Sequence, residues 1–186
     1  MTTYYHGSAK LFNRFDMSHA LEGDGKVKFG YGVYVTSSFR SAAHYAGANP
    51  TAQRYFVYTV EIPEKTEDNY IAFKQPVQVG IVQRAEDKLG TAIPEKMKLD
   101  GKDFRKYLAK QLTGKVDLGG EKAASGFLLS IGVELIEWPY NWKNPDLGTN
   151  RAILDDGKVK ILKVEEVDLD IKRQLVEGSQ RLIKEF

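Results

Sequence analysis

Histidines, tyrosines and paired acids are the residues of this chain with chemistry to offer, and their spacing excludes more reactions than it permits. His6 stands before Gly7 at what reads as a strand end, where an imidazole can face a cleft. Tyr34 follows Gly30 and Gly32, and Tyr45 comes eleven positions later. With three histidines in all, a zinc site would need carboxylate help at ligand spacing; no His-Glu-x-x-His pattern occurs, so no metal is expected. The chain has no cysteine, which removes thiolate ligands, disulfides and a cysteine nucleophile. Ser8 lies close to His6 but without a glycine-flanked elbow, which argues against a serine hydrolase. Glu134 with Glu137, and Asp155 with Asp156, offer paired carboxylates of the glycosidase kind; such pairs read more simply as solvated faces or turn residues. Gly30-Tyr31-Gly32 begins like a dinucleotide fingerprint and then fails it. Position 35 is Val35, and the glycines precede a strand instead of joining strand to helix.

The elements that must position these residues are legible in outline. Gly30 and Gly32 permit positive φ or close approach, Val33-Tyr34-Val35 has strand character, and Thr36, Ser37 or Ser38 can cap the following helix. Ala42, Ala43 and Ala46 let that helix lie close to a sheet, and Gly47 stops it. Thr3 to His6 reads as a strand broken at Gly7, Phe12, Phe15 and Met17 as apolar anchors, and Leu21 to Lys26 as a glycine-punctuated, mobile loop. Tyr55–Ile62 is the clearest strand, ended by Pro63. From Val77 to Leu112 the apolar period lengthens to that of helices. One carries Val77, Ile81, Ala85 and Leu89; the next, capped by Asp100, carries Phe104, Leu108 and Leu112. A third opens at Gly119-Gly120 and ends at Gly132. Strands are expected at Val133–Glu137 and Asn150–Leu154. The second is joined through the Asp155-Asp156-Gly157 turn to Lys158–Val167 as a hairpin. Ile171, Leu175, Leu182 and Phe186 predict a C-terminal amphipathic helix.

The 186 residues suffice for one domain, 1–186, of the α+β class, with a helical insertion at about 76–131. A net charge of +2 with both signs interleaved neither marks nor excludes a nucleic-acid partner. No apolar run reaches membrane-span length and no signal peptide is visible, so a cytoplasmic protein without a membrane partner is expected.

Tyr5-His6-Gly7-Ser8, then Gly30-Tyr31-Gly32-Val33-Tyr34-Val35-Thr36, then Ala43-His44-Tyr45-Ala46 resemble the histidine-tyrosine-glutamate clade of ADP-ribosyltransferases. That clade includes the poly-ADP-ribose polymerases and diphtheria toxin. The small bacterial and phage-encoded members are the nearest in pattern, with Gly132-Val133-Glu134-Leu135-Ile136 ahead of a third motif at Asn150-Arg151-Ala152-Ile153-Leu154. The resemblance covers Tyr4 to about Leu162 and is weak from Lys65 to Gly120.

The resemblance implies a pair of packed sheets and NAD as substrate. It makes Tyr34 and Tyr45 the rings that sandwich nicotinamide, Gly7 the clamp on its carboxamide, and His6 the partner of the adenosine ribose with Ser8 nearby. Such a reaction needs positioning and electrostatic support more than a strong base. The chain departs from the clade at the third motif, where Asn150 takes the glutamate position. Its amide can hydrogen-bond a ribose hydroxyl but carries no charge. Mono-ADP-ribosylation is therefore expected over chain elongation, with Arg151, Glu134 or Glu137 as further contributors. The loop bearing Trp138, Tyr140 and Trp142 is expected to meet the acceptor by ring stacking. A protein acceptor is preferred over single-stranded RNA or DNA. The likeness to phage and bacterial effectors implies a toxin or phage-defence enzyme, with an antitoxin protein as a partner. The rival class is a non-catalytic module of the same fold that binds NAD or a protein.

Overall fold

The computed structural model describes residues 1–19 and 27–186. The glycine-punctuated loop expected at Leu21–Lys26 lies outside the described residues. Among the described residues, eight strands and four α-helices follow the order β1 (Thr2–Ser8), β2 (Val33–Thr36), α1 (Phe39–Ala46), β3 (Tyr55–Ile62), β4 (Tyr70–Ala72), α2 (Val79–Leu89), α3 (Gly101–Thr113), α4 (Leu118–Ser130), β5 (Leu135–Pro139), β6 (Thr149–Ile153), β7 (Lys160–Val167) and β8 (Arg181–Glu185). The fold is α+β. The strands form one mixed sheet in the order β4-β5-β6-β2-β1-β3-β7-β8, in which β4 and β5 are parallel and the other neighbours antiparallel.

The hydrogen-bonded ladder is thus one continuous sheet and not the expected pair, but it has a constriction. β1 pairs with β3 along its whole length, whereas β1 and β2 share only the pair Tyr5 and Thr36. Val33, Val35, Leu135 and Ile153 from one side of this constriction share a buried cluster with Tyr4, Tyr58, Val60 and Ile161 from the other. The opposite face of the β4-β5-β6-β2 portion carries the helices. Phe104 and Leu108 of α3, Leu128 of α4 and Ile81 of α2 cluster with Ile136 and Ala152. Each such fully buried side chain stabilises the fold by roughly 1.5–3 kcal/mol relative to exposure.

Local chemistry explains the helix ends. Ser38 accepts from the Ser41 N–H, Asp100 from the Asp103 N–H and Asp117 from the Gly120 N–H, each satisfying a donor the helix leaves free. α1 lies so close to β1 that a Cβ on Gly7 would stand 1.8 Å from the carbonyl oxygen of Ala42, so only glycine fits there.

Two other expectations are corrected. The Asp155-Asp156-Gly157 turn forms, with the Asp155 carboxylate accepting from the Gly157 N–H, yet β6 and β7 do not pair: β7 lies between β3 and β8. The C-terminal helix is not formed. Asp170 Oδ1 accepts from the N–H groups of Lys172 and Gln174, Arg173 and Gly178 take positive φ, and the chain returns as β8 on the edge of β7.

Candidate functional site

The His6 imidazole closes the β1–β2 constriction where the ladder stops. Its Nδ1 lies 2.7 Å from the Tyr34 carbonyl oxygen; since a carbonyl only accepts, Nδ1 carries the proton. Phe15 and Phe12 meet the ring edge-on at 5.0 and 6.1 Å, with Tyr58 at 6.2 Å. Burial pushes the pKa of His6 down, and the hydrogen bond to Tyr34 only partly opposes this. The neutral ring leaves Nε2 as an acceptor without a partner among the described residues. Stability carried by the neutral ring is present above the ordinary value of 6.5 and is lost as pH falls through the lower folded value. Glu134, Glu166 and Asp168 are held below the usual carboxylate range, so they act in a separate, more acidic window. Thermal unfolding compared at about pH 7 and pH 5 should show a loss of melting temperature that His6→Gln reduces; equal losses in both proteins would refute the burial argument.

Cross-strand neighbours share a face, so the pairing of Tyr5 with Thr36 sets Gly7 and Tyr34 on one face and the His6 ring on the other. His6 and Tyr34 are adjacent, but through a backbone carbonyl and not ring to ring. The Tyr34 hydroxyl donates to the Gly30 carbonyl at 2.8 Å and accepts from the Phe29 N–H at 3.0 Å; its ring meets Trp138 edge-on at 5.4 Å. Burial lifts its pKa to about 12, so it stays protonated. Gly30 has φ of 109°, and a Cβ on Gly32 would stand 2.6 Å from the Ile153 carbonyl oxygen; the two glycines serve this turn.

Tyr45 and Asn150, far apart in sequence, do meet. Asn150 pairs with Thr36 across β6 and β2, and its Nδ2 donates to the Tyr45 hydroxyl at 3.1 Å. Asn150 is 5% exposed, and its Oδ1 is buried with no hydrogen-bond partner. An unpaired buried acceptor costs about 1–3 kcal/mol, which a ligand donor would offset. Tyr45 is 44% exposed, and Tyr140 meets its ring edge-on at 6.4 Å. Burial raises the Tyr45 pKa, with the Asn150 hydrogen bond opposing, so this phenol too is neutral.

No family model, curated protein or solved structure matches this chain. The site therefore rests on its own geometry. Among the described residues, no cluster of His, Asp or Glu could hold a metal ion, and no helix is long and apolar enough to cross a membrane.

The aromatic loop divides between three environments. Trp138 is in β5, 6% exposed and stacked on Phe29 at 4.1 Å, so it belongs to the core and cannot meet an acceptor. Tyr140 turns to Tyr45. Trp142, 43% exposed, lies 5.9 Å from Phe73 with Lys74 Nζ 4.5 Å above its ring. The loop base is pinned by the Tyr140 N–H to the Gly148 carbonyl and the Ser37 N–H to the Thr149 carbonyl. Ser8 Oγ is engaged by the Lys10 N–H, at the far end of β1. Arg151 alternates with Asn150 and leaves the other face, where it pairs with Glu137 at 2.9 Å and covers the Tyr4 ring. Glu134 is held by Lys158 and Asn69. None of these three joins Asn150.

A cavity of about 640 Å³ and another of about 430 Å³ open elsewhere, and neither is lined by His6, Tyr34, Tyr45 or Asn150. The larger one is lined by Phe29, Phe73, Lys102, Arg105 and Trp142, residues that sequence reasoning missed as a group, Trp142 excepted. The spacing of Lys102 and Lys106 on one face of α3, either side of Arg105, was the available signal.

Proposed function

We propose that this chain is a mono-ADP-ribosyltransferase that moves ADP-ribose from NAD to a macromolecular acceptor. The observation that carries this reading is the buried, unpartnered Oδ1 of Asn150 beside the exposed ring of Tyr45. NAD supplies a glycosidic bond whose leaving group, nicotinamide, departs as a neutral heterocycle. The chain's task is then to hold and orient. Asn150 Oδ1 accepts a hydrogen bond from a ribose hydroxyl, and its Nδ2 fixes the Tyr45 hydroxyl so that the ring presents a constant face for stacking. The His6 ring lies on the opposite face of the sheet from Asn150, so its part is to hold the Tyr34 carbonyl and with it the β1–β2 junction. Both tyrosines stay neutral near pH 7, so neither acts as a base. No carboxylate hydrogen-bonds Asn150 among the described residues, which favours single transfer over elongation. A toxin or phage-defence effector restrained by an antitoxin protein is the role this reading carries.

Incubation of the purified protein with NAD should release nicotinamide. A second reading, a non-catalytic NAD-binding module, draws on the engaged Tyr34 hydroxyl and the missing carboxylate. Calorimetric NAD binding without nicotinamide release would select it; neither binding nor release would end both readings.

A further inference from the structure

We infer that the larger cavity, between α3 and the Trp142 loop, binds single-stranded nucleic acid. Five cations line it, Lys28, Lys74, Lys102, Arg105 and Lys106, against two carboxylates. Both carboxylates are engaged: Asp117 caps α4, and Glu121 lies 2.8 Å from Arg105. None of the four lysines has an ion-pair partner among the described residues, although Lys106 feels the field of Glu121. Arg105 is 1% exposed, and its Nη1 is buried without a hydrogen-bond partner while Nη2 donates to the Lys28 carbonyl at 3.1 Å. A buried cation with a spare donor has a use for an anionic ligand.

Charge alone would suit any polyanion; the rings narrow the choice. Lys28 lies 5.3 Å from the centre of Phe29, Lys102 6.0 Å from Phe73 and Lys74 4.5 Å from Trp142. Phe73 is 4% exposed and Phe29 is stacked on Trp138, so Trp142, 43% exposed, is the ring on which a base can stack beside these cations; an acidic peptide would use the lysines and leave that ring idle. The site is a concavity of about 640 Å³, a recess that an unpaired base can enter and a stacked duplex cannot, so the strand enters single.

Trp142 and Tyr140 lie on one loop, and Tyr140 touches Tyr45. A strand stacked on Trp142 is thereby led toward the Tyr45–Asn150 pair. Binding does not depend on the transferase reading; only the step from ligand to acceptor rests on it. This inference points to a single-stranded acceptor where the sequence reading preferred a protein, since the overall charge of +2 does not display this local concentration of cations.

Fluorescence anisotropy with labelled oligomers of roughly 12 nucleotides, as single-stranded DNA, single-stranded RNA and duplex DNA, with polyglutamate as competitor, tests the inference. Single strands should bind with a slope of log affinity on log salt of about −3, as four phosphate contacts require. Lys102→Glu with Lys106→Glu should weaken binding at least tenfold and flatten the slope by about 1.4. Trp142→Ala, at an exposed position, should weaken it roughly tenfold with the slope retained. No binding, tighter duplex binding, full competition by polyglutamate, or affinity unchanged in both folded variants would each overturn it. Nicotinamide release is assayed in parallel. Release without strand binding removes this inference and leaves the transferase reading; strand binding without release does the reverse.

Discussion

Asn150→Ala should fold and release nicotinamide from NAD at roughly one hundredth of the unaltered rate, the scale at which loss of a positioning hydrogen bond acts. The substitution removes the buried Oδ1 that awaits a donor and the Nδ2 that holds the Tyr45 hydroxyl. Its stability cost should be small, on the order of 1 kcal/mol, because only one of the two amide atoms is hydrogen-bonded in the free protein. Tyr45→Phe separates the two roles: it keeps the ring and loses one hydrogen bond, so a loss of only about three- to tenfold is expected. A folded Asn150→Ala protein with undiminished release would remove the site from Asn150 altogether.

How much of this was legible in the sequence depends on how local each feature is. Tyr55–Ile62 and the Ser38-capped helix before Gly47 follow from β-branched runs, a capping hydroxyl and a stop glycine, and both form where expected. The C-terminal segment misled because Ile171, Leu175, Leu182 and Phe186 fall near helical spacing. The carboxylate of Asp170 instead ties up the next turn's N–H groups, and Gly178 takes positive φ, so the chain turns back as an edge strand. The hairpin failed differently. Its turn was read correctly, but a turn does not choose the strand's partner when β3 offers β7 a longer ladder. β4 is three residues long and gains its identity only by pairing with β5. In the site, the meeting of Tyr45 and Asn150 followed from motif order. The core position of Trp138 did not, because stacking on Phe29 is a non-local contact.

Glu121→Leu alone should destabilise the protein by about 3–5 kcal/mol, whereas Glu121→Leu with Arg105→Met should return stability to the starting value or above it. Arg105 and Glu121 are 1% and 5% exposed. Their Nε and Oε2 lie 2.8 Å apart without the alignment of a hydrogen bond, and Arg105 Nη1 has no partner. Burial raises the Glu121 pKa more than Arg105 lowers it. A carboxyl raised on folding binds its proton more tightly in the folded state, so its stabilising contribution is present below its ordinary value and is lost as pH rises through the raised one. Burial thus works against the carboxylate form of Glu121 more than Arg105 supports it. Removing Glu121 alone strands a guanidinium in the core, while removing both groups relieves the desolvation of each. Urea midpoints of the three proteins decide the matter, and a double variant as unstable as the single one would contradict it. Arg105 also lines the cationic cavity. The double variant, stable but without the guanidinium, should accordingly bind single strands more weakly than the unaltered protein.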